Sequence, residues 1–375
     1  MLLQGNDSNV QLGYHRGFER LIGLGVLDDY FAIPYRTLGP PPSDFWATIY
    51  SKALNKIRID GFDILFFQHF HGGMPDPRPF VSEARKLNPN LLVLTSCGDG
   101  FGKILNPPPK SLCHASAVAD LNFSTSMGHL ASTLVRSGAR NLVLMPWGVC
   151  QERFIKPSAQ PRTIEFDVVF IGRNHGGRNP FAPLSHAGRH RRAMVLALER
   201  RYGKRFGLFG PGWEGYQHWQ GPIPFDSQQQ IMRNSRIQVG GFPGSYATYY
   251  TSDRPYIAMA SGTPFLDCMV PGMDKLMAPN KHWIPYRDIP DMLIQVDRML
   301  ARPQEELDAM GAQARAFVLN GHTLAHRAEE MISIVRSLQI ARNAGCVAEP
   351  PLLRCFHPEV DPIQEIPQAV RNWRG

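Results

Sequence analysis

Residues 236–266 read RIQVGGFPGSYATYYTSDRPYIAMASGTPFL, and the order of residue types along them decides the fold. Ile237 to Val239 make a short apolar strand. Gly240, Gly241 and Gly244 then break the chain where a backbone must approach a ligand or take positive φ. Ser252 and Asp253 are N-cap types, and Pro255 is tolerated in a first helical turn. Gly262 closes that helix, and Thr263 to Leu266 open a second strand. A helix N-terminus behind a glycine-rich loop, with Arg254 in its first turn, suits a phosphate or pyrophosphate. The bland alternative is an ordinary strand–loop–helix–strand unit that holds nothing.

The same alternation extends in both directions. Phe62–Gln68 (FDILFFQ), Asn90–Ser96 (NLLVLTS) and Phe166–Gly172 (FDVVFIG) are continuous apolar runs, as expected of strands buried on both faces of a parallel sheet. Met1–Gln4, Val118–Phe123, Asn141–Met145 and Phe206–Phe209 read as further strands. Helices are expected at 14–24, 44–56, 78–87, 126–137, 189–202, 228–235, 289–301, 304–319 and 324–342. Such βαβ alternation predicts doubly wound parallel sheets with right-handed crossovers. The polar, proline-containing stretch Gln151–Arg162 is the linker candidate. The expected fold is therefore α/β, with two Rossmann-like doubly wound domains and an interdomain cleft. Residues 1–155 would form the first domain, 156–335 the second, and 336–375 a helix end and tail packing back on the first.

Composition bounds the rest. The chain has 375 residues and a formal net charge of +8, enough for two domains and tilted toward an anionic partner. Six cysteines occur without a CxxC pair, so reduced thiols are expected rather than a disulfide framework or zinc site. No apolar run reaches the roughly 18 residues of a membrane span. The opening MLLQGNDSN has no basic start, unlike a signal peptide. A soluble cytoplasmic protein is the expectation.

Four segments in order, FDVVFIGRN, FDSQQQIMRNSRIQVGG, TSDRPYIAMASGTPFL and NGHTLAHRAEEMISIV, resemble GT-B glycosyltransferases of the large group 1 type. The nearest likeness is to the spore-maturation-protein (CgeB-like) branch. It covers about Asp167 to Val335; the first half matches only by pattern, best at ADLNFSTS and ARNLVLMPWGV. The resemblance implies transfer of a sugar from a UDP- or GDP-sugar co-substrate to a hydroxyl acceptor, with no cofactor required. It implies donor binding through Arg173, Gly241, Gly244, Ser252, Asp253 and Arg254, and weakly a retaining outcome. One departure is plain. The family usually has a ribose-binding Glu four residues after the Asp of SDR, where this chain has Ile257, and Tyr249 stands where broader relatives carry a second Glu. Losing such a charge-assisted bond costs roughly 1.5–3 kcal/mol.

The first half would hold the acceptor. Asp99, after the NLLVLTS strand, and Asp7, after the first strand, are rival general bases; each also suits a local turn. His69 and His71 follow a buried strand, and His71 is the candidate contact to sugar or acceptor. No metal is expected, since no carboxylate or further histidine lies at ligand spacing and the chain has no Asp-x-Asp. Arginines and helix dipoles would neutralise the leaving group instead. Arg189, Arg191 and Arg192 read as a solvated helix face, and Thr323 as a cap of the last helix. A basic charge, with Phe101, Trp213, Tyr216 and Trp219 as exposed aromatics, would suit DNA bearing a hydroxymethylated base. Alternatives are a glycan or small-molecule acceptor, a non-catalytic sugar- or nucleotide-binding protein, and an epimerase.

Overall fold

The computed structural model describes residues 2–4, 12–35, 43–70, 73–99, 101, 107–155, 162–174, 185–241 and 247–345. The first half runs β1 (Leu2–Gln4), α1 (Leu12–Gly23), β2 (Ala32–Pro34), α2 (Phe45–Asp60), β3 (Ile64–Gln68) and α3 (Arg78–Leu87). It continues through β4 (Leu92–Cys97), α4 (Lys110–Val118), β5 (Leu121–Ser124), β6 (Met127–Gly128), α5 (His129–Arg136), β7 (Leu142–Leu144) and α6 (Gln151–Phe154). The second half opens with β8 (Phe166–Ile171), α7 (Ser185–Tyr202), β9 (Phe206–Phe209), α8 (Gln228–Arg233) and β10 (Ser235–Val239). Then come β11 (Ala247–Thr248), α9 (Arg254–Ala260), β12 (Phe265–Cys268), α10 (Met273–Leu276) and β13 (Ile284–Tyr286). Helices α11 (Ile289–Leu300), α12 (Gln304–Leu319) and α13 (Leu324–Asn343) complete it.

Two parallel sheets result, ordered β2-β1-β3-β4-β5-β7 and β13-β12-β10-β8-β9. In each, the second strand lies on one side of the first and the third on the other. That reversal is the topological switch point of a doubly wound sheet, where a crevice opens at the carboxyl ends of the strands. It falls between β1 and β3 in the first sheet and between β8 and β10 in the second. The buried apolar runs found in the sequence became β3, β4 and β8. Residues 110–118, outside every expected helix, form α4, with Leu112 and Ala115 turned inward. The linker candidate begins with α6, whose Phe154 is buried.

Among the contacts that join the halves are two backbone pairings. Strands β6 and β11 pair antiparallel, with Ala247 opposite Gly128 and Thr248 opposite Met127, so the exit of the glycine-rich loop is stitched to the first half. The turn Pro146–Val149 also lies beside the start of α13: Val149 N donates to His322 O at 2.9 Å and Leu324 N to Val149 O at 2.9 Å. A Cβ on Gly148 would stand 2.8 Å from His322 O, so only glycine fits there. Helix α13 then packs along α1, and Arg342 reaches Asp120 at 2.6 Å.

Candidate functional site

At the second switch point, β8 and β10 end against α7 and α9. A cavity of about 30 Å³ opens there, lined by Arg191, Gly240, Gly241, Ser252, Arg254 and Asp267 among others. Arg191 is buried at 2% exposure, a correction to the solvated face expected of it. Its Nε donates to Gly241 O at 3.0 Å and one terminal nitrogen to Arg173 O at 3.1 Å. Burial lowers its pKa to about 9, helped by the charge of Arg254 and opposed by Asp267. A guanidinium beside a second cation, at the cost of its own hydration, is a candidate to receive an anion.

Arg254 begins α9 and is partly exposed, while Arg173 follows β8 with its side chain in solvent. Asp253 takes the N-cap place but makes no side-chain cap bond; Ser252 Oγ instead accepts from Arg254 N at 3.4 Å. Burial raises the Asp253 carboxyl above its ordinary value, against the pull of Arg254. Gly241 does not take positive φ. It is glycine because a Cβ would stand 2.7 Å from Met194 Sδ, and one on Gly240 would meet the Asp267 carboxylate at 2.6 Å. Their smallness lets α7 and β12 close on the loop, which differs from the expected ligand approach. Gly244 lies outside the described residues.

Ile257 is buried in apolar packing, and Tyr249 is buried with φ +58 over Gly272. Ile257 offers no polar side-chain group to a ribose. Trp213 and Phe101, expected at the surface, are buried; Trp213 donates its indole N–H to Gly172 O at 2.6 Å.

In the first half, Asp99 stands exposed just after β4. Beside it, the Trp147 indole N–H donates to Gly98 O at 2.8 Å, and the ring stacks on His69 with centroids 6.1 Å apart. His69 carries φ +66, and the Tyr35 hydroxyl donates to the carbonyls of Gln68 and His69. A left-handed non-glycine residue locked this way is the kind of strain that marks functional loops. Asp7 and His71 lie outside the described residues. Among the described residues, no group of three His, Cys, Asp or Glu side chains could hold a metal, and no helix is long and apolar enough to cross a membrane.

Residues 189–333 match the profile of a family described as glycosyl transferase-like. The match lies within the second half of the chain. Among solved structures, the chain is similar to HepE of Anabaena in complex with UDP-glucose, at 12% identity and TM-score 0.57, over 90% of this chain and 99% of that one. It is also similar to sucrose-phosphate synthase from Thermosynechococcus elongatus, at 14% identity and TM-score 0.61, over 91% and 99%. A glycosyltransferase from Rickettsia africae gives 12% identity and TM-score 0.57 over 90% and 98%. No curated protein matches the sequence. The expected GT-B fold is thus met, and the second half is similar to a glycosyl transferase-like family.

His322 and Arg327, which with Thr323 and His326 form an HT-x2-HR pattern in the NGHTLAHR segment, sit where the halves join. Thr323 caps α13, and His326 completes a capping box. Arg327 donates to His322 Nδ1 at 2.8 Å, which requires a lone pair there. Burial first, then the charge of Arg327, hold His322 well below its ordinary pKa. The folded state therefore keeps it neutral, while the unfolded chain protonates it near pH 6.5. Its contribution is present above that pH and is lost as pH falls below it, at up to about 1.4 kcal/mol per pH unit. Urea unfolding at pH 7.5, 6.0 and 5.0 reads this slope. An identical slope in His322→Gln would remove His322 as its source.

Proposed function

We propose that the protein transfers a sugar from a nucleoside-diphosphate sugar to a hydroxyl acceptor, with the donor diphosphate held by Arg173, Arg191 and Arg254. Arg191 carries the reading: it is buried beside Arg254 and spends two donors on the loops that surround the cavity. As the bond from the sugar C1 to the diphosphate oxygen breaks, charge develops on the leaving group, and fixed guanidinium groups stabilise it. The acceptor oxygen bonds to C1, and its proton leaves with the diphosphate. No divalent ion is needed in this scheme, so EDTA leaves turnover unchanged. The UDP-glucose bound to HepE supports a UDP-sugar as the first donor to test. The branch is the spore-maturation-protein type, on the SDR and HT-x2-HR motifs, and the expected outcome is retention, read from the product's anomeric proton.

Asp99 positions the acceptor hydroxyl from the first half. Asp99→Asn lowers kcat/KM for the acceptor about 10- to 100-fold through loss of a charge-assisted bond, while donor affinity stays unchanged. The deciding experiment is a panel of UDP- and GDP-sugars scored for hydrolysis and for thermal shift. Absence of both with every donor would sink the enzyme reading. DNA bearing hydroxymethylated bases enters the acceptor panel, with gel retardation at two salt concentrations; no retardation at low salt retires it.

A further inference from the structure

Among the described residues, three charged side chains line the cavity at the ends of β8 and β10, and one has the wrong sign for a diphosphate. Arg191 and Arg254 are cations; Asp267, near the carboxyl end of β12, is not. It is 8% exposed, so solvent screens its charge little. Its place is fixed from two sides. Oδ1 accepts from Cys268 N at 2.8 Å. The carboxyl group lies against Gly240, where a Cβ would stand 2.6 Å from Cγ and Oδ1 and 2.8 Å from Oδ2. Gly240 is held in turn by the Tyr286 hydroxyl, which donates to its carbonyl at 2.7 Å. A glycine at 240 is therefore what lets a carboxylate stand in this crevice. Burial and the charge of Arg254 pull the Arg191 pKa down, and Asp267 is the first group that opposes them. Asp253, the neighbour of Arg254 in sequence, does not line the cavity.

Guanidinium groups taken out of water need a counter-charge while the site is free. A diphosphate brings charge of the same sign as Asp267 into the same space and must work against it. We infer that Asp267 is the resident counter-ion of Arg191 and Arg254, competing with the diphosphate for them, so that it weakens anion binding and hastens release of the nucleoside diphosphate after transfer. This role presupposes the diphosphate site proposed above and adds to it a group that opposes binding. A carboxylate that instead accepted a ribose hydroxyl would have the opposite effect, because its loss would weaken the donor.

Calorimetric titration of Asp267→Asn decides between them. Asparagine keeps an Oδ1 for Cys268 N and nearly the same volume, so the strand end is preserved. Affinity for inorganic pyrophosphate and for UDP should rise at least about tenfold, since a like charge has left the site, while uridine binds as before. Without anion the variant should melt at a lower temperature than the native protein, and pyrophosphate should raise its melting point more. Pyrophosphate carries no nucleoside, so it reads the counter-ion apart from the sugar-transfer reading. Tighter pyrophosphate binding upholds the counter-ion even where neither form binds UDP, a result that would count against the donor alone. Unchanged or weaker pyrophosphate binding by the folded variant overturns it. Weaker binding of both UDP and uridine overturns it too, by assigning Asp267 to the ribose hydroxyls.

Discussion

Replacing Arg191 with methionine abolishes donor binding, with a loss of at least about a hundredfold in affinity for the nucleotide sugar. The magnitude follows from chemistry: hydrogen bonds to charged groups contribute about 1.5–3 kcal/mol each, and each 1.4 kcal/mol is tenfold. Methionine keeps an apolar stem at this position of α7 and removes the fork that ties Gly241 O and Arg173 O. Arg191→Lys keeps a charge but not the paired geometry, so it falls between the two. Calorimetric titration with UDP alone and with the full donor separates diphosphate from sugar contacts. Undiminished affinity for UDP in a folded Arg191→Met protein would dismantle the diphosphate site.

Arg327→Met carries the largest expected cost in stability, about 3–5 kcal/mol, as for one partner removed from a buried ion pair. Arg327 is fully buried. It donates to Pro146 O at 2.7 Å, Gly321 O at 2.9 Å and His322 Nδ1 at 2.8 Å, with Glu330 3.6 Å away. Its loss leaves carbonyls from both halves and a buried carboxylate without their cation. Urea unfolding measures the change, and Arg327→Met/Glu330→Gln recovers part of it because the two residues are coupled. A loss below about 1 kcal/mol would show that Arg327 is not what holds the joint.

The sheets were legible because buried parallel strands are written as apolar runs, and FDILFFQ, NLLVLTS and FDVVFIG could be little else. Of the arginines proposed for the diphosphate, one stood out in the sequence and one did not. Arg254 announced itself through SDR, whereas Arg191 was hidden among Arg189 and Arg192 and assigned to solvent. A signal was present: Arg191, Met194, Val195 and Leu198 follow the i, i+3, i+4, i+7 stripe, and all four are buried. A long cationic side chain at the end of such a stripe points into the sheet crevice. The ribbon of β6 and β11 was beyond reach, since two-residue strands paired across more than a hundred residues leave no local pattern. Ile257, read as a departure from the family pattern, is buried in apolar packing.

The packing of α13 on α1 bears on how such a protein can be recombined. Gly13 and Gly17 admit that helix closely: a Cβ on either would stand 2.9 Å from Leu324 or Ala328. The contact is cut to fit backbone against backbone, so the last helix follows the second half in sequence yet belongs mechanically to the first. A chimera that exchanges halves at residue 335 therefore splits a matched pair of surfaces, and viable crossovers must move α1 and α13 as one cassette.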